Sequence, residues 1–476
     1  MTSDDIAWLS AAELAGAYAA GALSPVEATR AVLARIDALN PLLNCFCLVD
    51  HEAALRDAQA SEKRWREGKP LGPLDGVPAS IKDLILTRGW PTLRGSLTVD
   101  PAGPWNEDSP ATARLREAGC VLLGKTTTPE FGWRGSTDSP LTGITRNPWD
   151  TRLTPGGSSG GATAAVVAGL GPLAVGTDGG GSVRIPAAFT GTVGLKAHFG
   201  RVPAFPASPM GTVSHVGPQT RTVRDCALML DALAQPDARD WTALPPRAGS
   251  WTDALSRGVA GLRIAYSPRL GYVPHVDARI EAAVAEAARV FESLGARVDA
   301  ADPDIEDSAY AFAVHWSSSA RQFLYRLPPE RFARLDPGLQ AVVIDAQRYS
   351  LSDYLDAQQF RAALALRMQR FHQRYDLVLT PGTALLPFEV GKVMPEPPPG
   401  VTPLGPNDWT WWTPFSIPFN LTQQPALVMG CGFTDEGLPV SLQLVAPNHR
   451  EDLCLSAAAA YEAATTWSSR HPSPGR

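Results

Sequence analysis

An α/β protein with a large sheet is the architecture that three features of this 476-residue chain predict. Short apolar runs bounded by Gly and Pro recur from residue 74 onward, the texture of buried strands. Helical patterns lie between them, most clearly "VDARIEAAVAEAARVFESLG" between "LRIAYS" and "ARVDA", which is a strand-helix-strand unit. No connector separates two complete sets of strands, so one intertwined domain over 1–476 is expected rather than two independent ones.

In chain order, the stretch to about residue 65 reads as helices. "SAAELAGAYAAGAL" and "SPVEATRAVLARIDALN" repeat apolar residues at helical spacing, and the second opens with Ser24 as cap and Pro25 in the first turn. The predicted strands follow in "GVPASIKDLI", "GCVLLGKT" and "GPLAVGTD", and later in "LRIAYS", "DLVLTP", "PALVMGCGF" and "VSLQLVAP". Residues 233–251 form a surface connector, and "MPEPPPGVTPLGPND" (394–408) is a stiff, extended loop.

Composition narrows the function. Hydrophobic residues make up 44% and charged residues 19%, with a formal charge of −6 and no basic block, so neither nucleic acid nor anionic lipid is expected as a partner. The start "MTSDDIAWLS" is acidic where a secretory signal is basic, and the most apolar stretch, "GATAAVVAGLGPLAVG", is too short and too broken by Gly and Pro172 to span a membrane. Six scattered cysteines fit reduced thiols used for packing in the cytoplasm. The eight histidines form no metal-ligand motif, so neither metal nor cofactor is expected.

Two motif matches mislead. "GCVLLGKT" fits the phosphate-loop pattern, but its middle residues Cys-Val-Leu-Leu are themselves strand-like and Pro129 soon follows. Lys125 is then a residue at a strand end. "GSSGG" fits the GxSxG elbow around Ser159, yet the preceding "RNPWDTRLTPG" offers no apolar strand to carry the elbow. The third match is a set: Lys82, the pair Ser158 and Ser159 between glycines, and Ser182 after a Gly run. On a strand over 77–83, Pro78, Ser80 and Lys82 share one face, which turns Lys82 into an interior or cleft.

Together, "GPLDGVPASIKDLI", "GKTTTPEFG", "LTGITRNPWDTRLTPGGSSGGATAAVVAG" and "GTDGGGSVRIPAAFTGTVGLK" resemble the amidase signature family, with weaker similarity through "YDLVLTP" and "CGFTDEGLPVSLQLVAP". The resemblance implies a large twisted mixed sheet surrounded by helices, with an N-terminal helical segment (1–65), a core carrying the signature (66–232) and a second half supplying pocket loops (252–476). It also implies that Ser182 is a nucleophile, Lys82 its base, and Ser158 a bridging serine held by a cis peptide bond after Gly157. The chemistry is coherent: an amine takes a hydroxyl proton only when uncharged, and burial achieves that by lowering a lysine pKa.

Ser159 is expected to cap the following helix and to hydrogen-bond within the site, with capping and catalytic roles both open. The backbone N–H groups of Gly179, Gly180, Gly181 and Ser182 are expected to form an oxyanion hole, as they do in the family. Asp178 and Arg184 are expected to support that loop as an ion pair or as backbone anchors. Gly179 departs from the family, where Thr or a bulkier residue is usual.

The expected substrate is a small, uncharged apolar or aryl amide, with carbamates and esters as side substrates, turned over by a monomer or homodimer. The alternative within the family is the glutaminase-type subunit of a glutamyl-tRNA amidotransferase, which releases ammonia from glutamine. "VVIDAQRYSLSDYLDAQQFRAALALRM" and "KAHFGRVP" depart from that subunit's pattern. Trp409, Trp411, Trp412, Phe415 and Phe419, with Trp133 near the core motif, either line an apolar pocket or pack a core; both readings stand on the sequence.

Overall fold

The computed structural model describes residues 2–405 and 407–474. Its strands are β1 (Phe46–Val49), β2 (Pro78–Lys82), β3 (Val121–Thr126), β4 (Asp138–Ser139), β5 (Gly143–Ile144), β6 (Leu173–Asp178), β7 (Val193–Lys196), β8 (His215–Thr220), β9 (Arg263–Tyr266), β10 (Arg297–Ala300), β11 (Leu377–Pro381), β12 (Ala426–Phe433) and β13 (Pro439–Val445). Eleven of them form one sheet in the order β1-β3-β2-β6-β8-β7-β12-β13-β11-β9-β10, and β4 and β5 make a small separate hairpin. The sheet is mixed: β2 runs parallel to both β3 and β6, and β9 parallel to β10 and β11, while the other pairings are antiparallel. Strands from both halves of the chain thus share one sheet.

The N-terminal helices form where the spacing predicts them, over Ala11–Ala19 and Pro25–Leu43. Ser24 accepts from the Glu27 N–H and the Glu27 carboxylate reaches back to the Ser24 N–H, a capping box with Pro25 opening the helix. Three strands of the main sheet, β1, β7 and β8, lie outside the predicted runs. β1 falls inside the stretch read as helical; its four residues are too few to show alternation, and it pairs with β3 at the sheet edge. β8, "HVGPQT", has no apolar run because side-chain hydrogen bonding holds it at the centre of the sheet: buried Gln219 donates to the Val183 carbonyl at 3.0 Å. Pro218 is tolerated there because β7 pairs with β8 only at Gln219 and Thr220, beyond the missing N–H.

This topology puts the C-terminal ends of the parallel strands β2 and β6 side by side, with Ile81 opposite Val175. The chain leaves β6 through the glycines 179–181 into a short helix, Arg184–Thr190. A second helix, Gly160–Val167, is buried along its whole length. Small residues are required there: a Cβ on Gly161 would stand 2.5 Å from the Thr127 nitrogen and 2.7 Å from the Cys45 carbonyl.

Candidate active site

Lys82 ends β2 on the face predicted for it and is fully buried. Its Nζ lies within hydrogen-bond distance of three hydroxyls: Ser158 Oγ at 2.7 Å, Ser159 Oγ at 2.8 Å and Thr177 Oγ1 at 2.9 Å. Burial pushes its pKa well below the usual lysine range, and only the Asp178 carboxylate opposes the shift. A lysine without a carboxylate in contact is favoured in its neutral form, which has a lone pair to offer a hydroxyl proton.

Ser158 follows a cis peptide bond from Gly157. Gly157 lies hard against the neighbouring loop, since a Cβ on it would be 2.5 Å from the Ser136 carbonyl oxygen. Ser159 stands at the N-cap of the Gly160–Val167 helix, but its side chain does not cap it. Its Oγ accepts from Lys82 and donates to the Thr177 carbonyl at 3.2 Å, so the capping expectation is corrected: the hydroxyl is committed to the lysine. Sequence reasoning missed Thr177; the parallel pairing of β2 with β6, once known, is the signal that brings it to Lys82.

Asp178 and Arg184 form the expected pair, both fully buried, through Nε to Oδ2 at 3.0 Å and a terminal nitrogen to Oδ1 at 3.1 Å. Arg184 also donates to Gln443 Oε1, the Ser416 carbonyl and Asn420 Oδ1. Burial alone would raise the Asp178 pKa, but Arg184, Lys196 and Asn420 outweigh it and hold the carboxyl far below the usual carboxylate range. The carboxylate in turn accepts from the Gly181 N–H at 2.8 Å and the Val183 N–H at 3.2 Å, which fixes the loop. This corrects one donor of the expected oxyanion hole: the Gly181 N–H is already taken. The N–H groups of Gly179, Gly180 and Ser182 have no acceptor among the described residues.

Ser158, Thr177, Gly179 and Ser182 line one cavity of about 330 Å³. Its walls are apolar, with Leu84, Ile85, Phe131, Trp133, Trp316 and Phe323, and the segment 203–210 borders it. Ser182 is 5% exposed. Both serines open on this space, but among the described residues no hydrogen bond joins their hydroxyls.

Of the candidate pocket aromatics only Trp133 lines the cavity. Trp412 is fully buried between Phe189 and Phe388, and Phe415 and Phe419 are core residues. Trp409 packs edge-on against Phe312 and Trp316, behind the cavity wall, and Trp411 contacts Met394. The pocket expectation for residues 409–415 is therefore corrected: Trp412 and Phe415 pack in the core, Trp411 is half-buried against Met394, and Trp409 closes on the glycine loop from behind, 2.7 Å from where a Gly180 Cβ would stand.

No described helix is long and apolar enough to cross a membrane. The family model described as Amidase matches residues 27–455. An acylamidase of Rhodococcus erythropolis is 38% identical over 480 residues, covering 99% of this chain and 98% of the relative. A glutamyl-tRNA(Gln) amidotransferase subunit of Chloroflexus aggregans is 36% identical, with 97% of each chain covered. Among solved structures, a bacterial aryl acylamidase of the amidase signature enzymes superposes with a TM-score of 0.89 at 31% identity, covering 97% of each chain. The eleven-stranded mixed sheet and near-full-length matches lead to one conclusion: this chain belongs to the amidase signature family and is an amide-hydrolysing enzyme.

Proposed function

We propose that the enzyme cleaves amides with apolar or aryl substituents through an acyl-enzyme on Ser182. Ser182 Oγ adds to the amide carbonyl while its proton passes to Ser158 Oγ, whose own proton passes to Lys82 Nζ. The carbonyl oxygen becomes an oxyanion facing the unpaired N–H groups of Gly179, Gly180 and Ser182, a stabilisation worth about 3 kcal/mol per donor. The C–N bond then breaks as the proton returns through Ser158 to the leaving amine. Water, activated by the same relay, adds to the ester and releases the acid and Ser182. Catalytic hydrogen bonds commonly tighten in the substrate complex, and the contact between the Ser158 and Ser182 hydroxyls is the one that has to close.

The observation that carries this reading is the buried amine of Lys82, whose pKa burial lowers, at 2.7 Å from Ser158 and beside a cavity that also holds Ser182. The apolar walls favour aryl and alkyl groups over small polar amides. Carbamates and esters with the same groups fit as side substrates. A single domain working in the cytoplasm as a monomer or homodimer, without metal or cofactor, completes the proposal. Glutamine suits the cavity poorly: among the described residues no acidic side chain lines it to receive an α-ammonium group. Kinetics on a panel of p-nitroanilides, anilides, carbamates and glutamine test the proposal. Turnover of the aryl amides with mass-detectable acylation that Ser182→Ala abolishes is expected; turnover of glutamine alone refutes it.

A further inference from the structure

Among the described residues the cavity beside Ser158 and Ser182 is lined by a single charged side chain, Arg94. Its backbone is fixed: the N–H donates to the Asp83 carbonyl at 3.0 Å, and its carbonyl accepts from the Phe131 N–H at 2.8 Å. Its φ is 58°, the left-handed region that a residue with a long side chain seldom occupies. Such conformations persist where the surroundings demand them and cluster at ligand-binding positions.

The guanidinium makes no hydrogen bond and no ion pair among the described residues, and the half-buried side chain borders the cavity with its nitrogens still in reach of solvent. The carboxylate that acts on it through space is Asp83, and that carboxylate is engaged. Lys125 Nζ lies 3.4 Å from it, and the Leu93 and Gly95 N–H groups each donate to it at 3.3 Å. Lys125 and Arg94 therefore share one carboxylate in this corner. Arg184 shows how this chain uses an arginine for structure, with five hydrogen bonds and its counter-ion in contact. Arg94 has neither. A half-buried cation with no anion in contact, beside apolar walls, is left to water and gains from a ligand that supplies the anion.

We propose that Arg94 is a carboxylate subsite, so that the preferred substrates are apolar or aryl amides carrying one acidic group away from the scissile bond. The planar fork of the guanidinium matches a carboxylate in bidentate fashion. An aryl group on the same substrate finds Phe131, whose N–H holds the Arg94 carbonyl and whose ring meets Phe323 edge-on at 5.4 Å. This rests on the aryl-amide reading above and replaces the uncharged substrate expected from the sequence.

Two matched pairs at about pH 8, where carboxyl groups are ionised, test it. Succinyl p-nitroanilide against butyryl p-nitroanilide places the acid on the acyl side; 4-carboxyacetanilide against 4-methylacetanilide places it on the leaving side. Wild type is expected to favour the acid in at least one pair by about tenfold to a hundredfold in kcat/KM, mainly through KM. In Arg94→Met that ratio is expected to fall to one or below, with Arg94→Lys between. Should Arg94→Met fail to fold, Arg94→Gln and inhibition of wild type by 4-carboxyaniline against 4-methylaniline give the same comparison. A ratio near one in both pairs, or a preference that survives in the folded variants, overturns the subsite and leaves the amidase reading intact. Absence of turnover of all four amides overturns the aryl-amide reading, and the subsite with it.

Discussion

Replacing Lys82 by methionine removes the basic nitrogen that touches Ser158 and keeps most of the side chain's length. A positioned general base contributes about 10²–10⁴ in rate, which at 1.36 kcal/mol per decade is about 3–5 kcal/mol of barrier. The structure places the expected loss at the upper end. The other groups around Nζ are hydroxyls, and no histidine or carboxylate among the described residues lines the cavity to take over. A fall in kcat/KM of about 10⁴ is therefore expected. The pH profile supplies an independent readout. The amine works only when neutral, so wild-type kcat/KM rises with pH by one decade per unit below the Lys82 pKa and then levels, and the limb lies far below the ordinary lysine range because burial depresses that pKa. In Lys82→Met this limb disappears. The assay is kcat/KM for a p-nitroanilide from about pH 5 to 10, with circular dichroism of each variant as the folding check. A folded Lys82→Met within tenfold of wild type, or one that keeps the acid limb, refutes the assignment of the base.

Arg184→Met leaves the fully buried Asp178 carboxylate without its counter-ion and is expected to cost about 3–5 kcal/mol in denaturant unfolding. The double variant Asp178→Asn with Arg184→Met is expected to recover part of that loss; strictly additive losses would show that the two do not act as a pair. Gly179→Thr puts a Cβ 2.8 Å from the Trp316 ring, so overpacking of about 1–3 kcal/mol and a changed acyl preference are expected, and an unchanged melting point and substrate profile would contradict the packing.

The residues of the proposed triad stood out in the sequence and the pocket did not, for a physical reason that particular residues make plain. Lys82, Ser158 and Ser182 each sit in a string whose neighbours are constrained by close backbone approach, as Gly157 and Gly161 are, so chemistry and conformation leave one local signature. The strands β2, which ends at Lys82, and β6, which leads into the Ser182 loop, announce themselves as apolar runs. β8 does not, because Gln219 and its hydrogen bond hold the sheet centre where an apolar side chain was the expected device. The cavity wall has no string of its own. Phe131, Trp316 and Phe323 come from a single turn and a distant helix, Ala309–Leu324, and meet only in the folded chain. The aromatic-rich segment 409–419 attracted the pocket reading because aromatic content alone does not distinguish a lining ring from a core ring.

Gly179 connects the two halves of that lesson. Read along the chain, a glycine in a position where the resemblance leads one to expect a side chain looks like a loss of rigidity in the loop that carries Ser182. In the fold the Trp316 ring occupies the space such a side chain would need, and Phe312 and Trp409 close on Gly180 in the same way, at 2.6 and 2.7 Å from its would-be Cβ. The glycines are thus packed from outside by rings that stack on one another, Phe312 with Trp316 at 5.6 Å and Trp409 edge-on to both. Rigidity comes from the neighbours, and the Asp178 carboxylate pins the loop from within through the Gly181 and Val183 N–H groups. The consequence is a division of labour: the loop keeps the backbone donors and Ser182, the proposed nucleophile, while Trp316, one residue on a helix remote in sequence, gives the loop its support and the cavity its wall. A substitution on that helix is then expected to move substrate preference and loop stability together.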